Sequence, residues 1–208
     1  MMTKNPKRRK KQDDDSKLIA AINSGQKHLF LDLVTRYQQR LYNFGLRMCR
    51  DTSDAEDLVQ DTFLNVFKYL KNFRYETKFK NWLYRIASSV CIKKRRKSKF
   101  APERELSLEE FIPREDAPAQ TELPDWAAIP LDKLLNDELS DTIQDAIQSL
   151  PEKYRLVIVL RDIEEFSTEE TAQILKISPA NVKVRLHRAR LFLKEKLQEY
   201  YGNERSYA

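Results

Sequence analysis

The stretch Ser167–Lys196, STEETAQILKISPANVKVRLHRARLFLKEK, holds two helix-start signals so close together that only a tight turn fits between the helices they begin. Ser167 and Glu170 form the S-x-x-E pattern of a capping box, in which side chains and backbone at a helix start satisfy one another. A first helix therefore starts here and runs to about Leu175. Ser178 caps a second helix, and Pro179 takes its first position, where a missing N–H is harmless and a fixed φ helps. Two such helices make a helix-turn-helix, the arrangement that sets a second helix in the major groove of DNA.

On that second helix Val182, Leu186, Ala189, Leu193 and Leu197 fall on one stripe, the face that must pack on the first helix. The opposite face carries Ala180, Val184, His187 and Arg188, flanked by Lys183, Arg190 and Lys194. Cations thus stand where phosphates and base edges would lie. A surface helix with a solvated basic face would show the same charges. The capped turn is what favours DNA.

The rest of the composition bounds the class. A length of 208 residues suits one or two domains, and the net charge of +6 fits an anionic partner. Glycine occurs only at 25, 45 and 202, and long stretches keep helical periodicity, so an all-α chain is expected. No apolar run reaches membrane-spanning length, and the N-terminal KNPKRRKKQDDD has no apolar core behind it, which predicts a soluble, cytoplasmic protein. Cys49 and Cys91 lack C-x-x-C spacing and His28 and His187 have no companions, so neither a metal nor a disulfide is expected; small apolar roles suit the cysteines better. With no nucleophile–base pair and no glycine-rich phosphate loop, the chain reads as a non-enzyme without a cofactor.

Two helical blocks flank a different segment. Between them, residues 99–136 contain Pro102, Pro113, Pro118, Pro124 and Pro130 and far more acids than bases. Such a segment reads as a linker, with Trp126 its one odd residue.

In the first block, Ser53–Leu70 again starts with a capping-box pattern, Ser53 and Glu56, and its stripe Ala55, Val59, Phe63, Val66, Phe67 and Leu70 should face a core. Its other side carries Asp54, Asp57 and Asp61 with Gln60 and Asn65, and Leu58 is expected among them as an exposed apolar residue. An acidic face around a leucine suits protein docking, since phosphate would be repelled; a solvated face complementing the helix dipole is the bland alternative. A polar loop follows with Phe73, Arg74, Tyr75, Lys78 and Phe79, then a helix from about Asn81 on which Trp82, Ile86 and Val90 should pack. That helix ends in the run Lys93–Lys97. Rings interleaved with cations are what a site for unstacked bases needs.

The runs DAEDLVQDTF, FRYETKFKNWLYRIA, LPEKYRLVIVLRDIEEFSTEETAQIL and ISPANVKVRLHRAR, in this order and spacing, resemble the extracytoplasmic-function (ECF, group IV) sigma factors of bacterial RNA polymerase. The resemblance implies two helical domains, sigma-2-like over 16–98 and sigma-4-like over 137–201, with a basic arm over 1–15, the linker over 99–136 and a tail over 202–208. It implies core RNA polymerase (β′ clamp helices and β flap) and promoter DNA as partners, and family members are often held by an anti-sigma factor. Carried onto residues, it makes Asp54, Asp57, Leu58, Gln60 and Asp61 the polymerase-docking surface. Phe73, Arg74, Tyr75, Lys78, Phe79, Asn81, Ser89 and Lys93 become the reader of the minus-10 element. Ala180, Asn181, Lys183, Val184, Arg185, His187, Arg188 and Arg190 become the reader of the minus-35 element.

Some positions depart from the family pattern. Ser88-Ser89 stands where an Arg-Asn pair is common and Lys93 where an Asp is usual. Glu165 and Lys176 replace frequent glycines, and Val184 stands where a serine is frequent; a valine can touch a thymine methyl but donates no hydrogen bond. The implied function is a promoter-specificity subunit. The competing class is a two-domain helix-turn-helix regulator, which would need neither a base-stacking loop nor a polymerase-docking face; a purely protein-binding adaptor would not need the basic helix.

Overall fold

Hydrophobic residues spaced three and four apart decide the first half of the chain. In the computed structural model, which describes the backbone of residues 6–49, 51–97 and 137–204 and the side chains of 15–49, 51–94 and 141–198, there are eight α-helices and no strand among the described residues. Helices α1 (Pro6–Asn23), α2 (Phe30–Met48), α3 (Thr52–Tyr69) and α4 (Phe79–Lys97) form the first half. Helices α5 (Asp137–Ser149), α6 (Glu152–Ile158), α7 (Thr168–Leu175) and α8 (Pro179–Glu204) form the second. The expected linker with Trp126, the side chains of Arg95, Arg96 and Lys97, and the end of the tail lie outside the described residues.

Leu33, Tyr37, Leu41, Phe44 and Met48 line the buried side of α2. Gly45 lets α3 come close: a Cβ there would sit 3.1 Å from both the Cα and the Cβ of Ala55. Helix α1 begins inside the expected N-terminal arm, and its Asp15 is buried, accepting from the Tyr37 hydroxyl at 2.6 Å and pairing with Arg36. A carboxylate with two such partners tolerates burial.

Helix α3 starts two residues earlier than the Ser53–Glu56 pattern suggests from sequence alone. Asp51, in extended backbone, is the N-cap and accepts from Ser53 N–H at 2.7 Å, so the Ser53–Glu56 box is not the start signal. Its buried stripe is also rotated. Ala55, Leu58, Thr62, Phe63, Val66 and Leu70 are buried, whereas Phe67 is 51% exposed. On α4 the fully buried positions are Leu83, Tyr84 and Ala87, with Trp82, Ile86 and Val90 only partly buried. This helix is covered on two sides, by α3 and by α7 of the second half, so one narrow stripe does not describe it.

In the second half, α6 passes into a wide π-turn, Val159–Ile163, and Glu165 at φ 58° reverses the chain toward Ser167. The apolar core is continuous across both halves, from Ile19 to Leu193.

Candidate functional site

The helix-turn-helix forms as its local signals require. Ser167 Oγ accepts from Glu170 N–H and Glu170 Oε2 accepts from Ser167 N–H, both at 3.0 Å, which satisfies two otherwise orphaned donors of α7. Lys176 ends α7 in the left-handed region at φ 56°, its N–H donating to the Ala172 carbonyl. Ser178 Oγ then accepts from Asn181 N–H at 3.2 Å to start α8. Glu165 and Lys176 are thus two of the non-glycine residues held at positive φ, the conformation glycine adopts without a Cβ penalty.

Val182, Leu186, Ala189, Leu193 and Leu197 are all buried, joined by Phe192. On the opposite side Ala180, Asn181, Lys183 and His187 are exposed, Val184 is 46% exposed, and Arg185 and Arg188 are half-buried. Arg190 departs from this face. Its guanidinium makes a two-pronged pair with Asp162, at 2.9 and 2.7 Å, so it braces the π-turn.

The acidic face of α3 is present without Leu58. That residue is fully buried, because it lies only about 60° around the helix from Ala55 on the side toward Thr62. The exposed apolar residue among Asp57, Gln60 and Asp61 is Leu64, 63% exposed and in helical register with them. Its spacing of three from Asp61 and seven from Asp57 could have found it. Leu64 and Phe67 border an apolar groove between α2 and α3 of about 670 Å³, lined also by Phe30, Val34, Val59 and Phe63. Lys94 of α4 pairs with both Asp54 (2.7 Å) and Asp57 (2.9 Å), leaving Gln60 and Asp61 the more open end of the face.

The aromatic loop is different from its sequence-based picture. Phe73, Phe79 and Asn81 are buried, at 6%, 4% and 6% exposure. The Phe73 and Phe79 rings stack on one another, on Trp82 and, from Phe79, on Tyr37 at 5.5 Å, because α4 begins at Phe79 and draws that ring inward. Composition alone cannot distinguish rings that stack on bases from rings that stack on each other. Tyr75 remains outside. Its φ of 61° turns the loop so that the ring, 46% exposed, tilts over Phe73 at 4.9 Å. Arg74, Lys78, Ser89 and Lys93 are exposed, Ser89 Oγ donating to the Arg85 carbonyl.

Neither cysteine is disulfide-bonded. Burial is the main influence raising the Cys49 thiol to about 11, so it stays protonated at neutral pH.

Residues 33–101 match the family Sigma-70 region 2, and residues 140–193 match Sigma-70, region 4. The chain is 36% identical over 183 residues to the ECF RNA polymerase sigma factor SigW of Bacillus subtilis, an alignment covering 88% of this chain and 96% of that protein. The chain belongs to the ECF RNA polymerase sigma factors. It is 30% identical to the RNA polymerase sigma-H factor of Pseudomonas aeruginosa, over 90% of this chain and 95% of that one. Among solved structures, this sigma factor resembles CnrH in complex with the cytosolic domain of CnrY, with a TM-score of 0.61, 25% identity, and 88% and 96% of the two chains covered. It also resembles RpoE in complex with the anti-sigma factor NepR from Bartonella quintana, with a TM-score of 0.58, 25% identity, and 81% and 96% covered. Sigma factors are transcription initiation factors and not enzymes. No helix among the described residues is long and apolar enough to cross a membrane.

Proposed function

We propose that this sigma factor acts in the cytoplasm, binds core RNA polymerase and directs it to promoters carrying two unlike elements. The helix-turn-helix carries the reading: α8 buries one stripe and turns Lys183, Val184 and His187 outward, with Arg188 beside them. Set in the major groove, Val184 can meet a thymine methyl and Arg188 can pair bidentately with guanine, while Lys183 follows the phosphates.

The downstream element falls to the loop before α4. Tyr75 is its exposed ring and rests on Phe73, so a base flipped out of the duplex has a platform that is itself supported from beneath. Arg74 and Lys78 would guide the strand; Phe73, Phe79 and Asn81 hold the platform in place. The polymerase-docking face runs through Asp57, Gln60, Asp61 and Leu64, with Leu64 taking the role that spacing first gave to Leu58. Because the similar sigma factor RpoE is solved in complex with an anti-sigma factor, NepR, an anti-sigma protein is included among the proposed partners of this chain.

Run-off transcription on fragmented genomic DNA tests the reading. Core polymerase with this chain should produce discrete 5′ ends preceded by two shared elements, and core alone should not. The absence of new start sites would overturn the proposal.

A further inference from the structure

The carboxylate that completes the helix-turn-helix cap also reaches the other half of the chain. While one Glu170 oxygen accepts from Ser167 N–H, the other accepts from Lys78 at 2.5 Å, and Asn81 bonds the same carboxylate. Six residues upstream, Glu164 accepts from the Tyr84 hydroxyl through its side chain and from Lys80 through its carbonyl at 3.0 Å. Phe166 closes the seam, edge-on to Tyr84 at 4.9 Å with the Lys80 ammonium 4.2 Å from its ring centre. Lys78, Lys80 and Asn81, just before and within the first turn of α4, are therefore held by the first turn of α7 and the segment leading into it.

The far end of the seam is polar as well. The last carbonyls of α2 have no helical partner, and Gln144 and Gln148 of α5 donate to Leu46 O at 2.7 and 3.1 Å, Gln148 to Cys49 O at 2.6 Å, and Arg155 to Met48 O at 3.0 Å. Such groups accept water when parted. A seam of this kind can open without exposing only hydrocarbon.

We propose that the helix-turn-helix cap is a latch, in which Glu164 and Glu170 hold the minus-10 reader closed against the second domain until the two domains part; the proposal rests on the promoter-reading function above. Geometry requires the parting. Elements about 25 base pairs apart are separated by about 85 Å of duplex, whereas a chain of this length packed as one body has a radius of gyration of about 17 Å. Residues 98–136 could span up to about 130 Å when extended, enough to connect readers at both elements. In the closed arrangement Lys78 is engaged with Glu170, so strand binding must first displace it. The apparent affinity of the free chain is then lowered by the fraction of molecules that are closed.

The test uses the full chain with donor and acceptor dyes on click-reactive amino acids at the exposed positions 39 and 195. Glu164→Gln with Glu170→Gln removes both charges, while the glutamine at 170 still offers an oxygen to Ser167 N–H. Single-molecule energy transfer should show the free wild type mostly in a high-transfer state. The double variant should raise the open-to-closed ratio about tenfold and, where the wild type is mostly closed, tighten binding of fluorescent (dT)12 by nearly the same factor. Tyr84→Phe keeps the ring on Phe44 and Phe166 but drops the bond to Glu164; its expected shift of about threefold carries the test if circular dichroism shows the double variant misfolded. A wild type already open, or folded variants with unchanged transfer and (dT)12 affinity, would overturn the latch. Run-off transcription by wild type with core polymerase reports separately on the underlying function, so failure there is a different result.

Discussion

Replacing Arg155 with methionine should destabilise the folded chain by about 3 kcal/mol. Arg155 is 5% exposed and its guanidinium donates to Met48 O and Gln148 Oε1, both at 3.0 Å, to Leu150 O at 2.8 Å and to Gln148 O. One cation thus serves the C-terminal ends of both α2 and α5, where carbonyls and helix dipoles favour positive charge. Methionine keeps most of the apolar stem, so the loss is polar. A hydrogen bond to a charged group contributes about 1.5–3 kcal/mol, but water can reach some of the freed acceptors and the desolvation of the cation is recovered; about 3 kcal/mol is what remains of four bonds. For a chain of this size that is a fall in Tm of about 6–12 °C. Urea unfolding should show a lower midpoint with an unchanged m-value, and Arg155→Lys should recover less than half, because an ammonium cannot reach both helix ends. A loss below about 0.5 kcal/mol would refute the idea that this residue holds the two ends.

Three further outcomes follow from particular side chains. Glu165→Gly and Lys176→Gly should each stabilise by about 0.5–1 kcal/mol, since relief of the left-handed Cβ strain exceeds the added entropy of an unfolded glycine; thermal melts that fall would contradict this. Asp57→Lys with Asp61→Lys should weaken association with core polymerase by about tenfold or more while leaving circular dichroism unchanged, and unaltered affinity would remove the docking assignment. Tyr75→Ala should reduce permanganate reactivity of promoter thymines more than initial duplex binding, whereas Phe79→Ala should chiefly destabilise, by about 3–5 kcal/mol, because its ring is core. The reverse ranking would return Phe79 to the strand-binding surface.

The parts legible from sequence were those set by contacts a few residues apart. Ser167 with Glu170, and Ser178 with Pro179, specify their helices through bonds spanning three residues, and the α8 stripe follows directly from the second start. Rotation of a stripe is less local. Whether Leu58 or Leu64 faces outward depends on where α2 and α4 press on α3, and a shift of about 60° exchanges core for surface. The fate of Phe73 and Phe79 was hidden for another reason, since their partners Tyr37 and Trp82 are as aromatic as a base would be. Least visible was the seam, where Lys78 meets Glu170 and Tyr84 meets Glu164 across 80 or more residues, and where no spacing rule applies.

The most direct test of the central claim is a footprint of the reconstituted holoenzyme on a promoter found by run-off transcription, compared with the footprint made by Arg188→Ala. Wild type should protect two dissimilar elements about 25 base pairs apart, require core polymerase to do so, and melt thymines only at the downstream one. Arg188→Ala should weaken protection at a guanine-bearing position of the upstream element while the downstream melted thymines persist once polymerase is bound. A single symmetric footprint made by the chain without polymerase would contradict the account and point to a dimeric regulator instead.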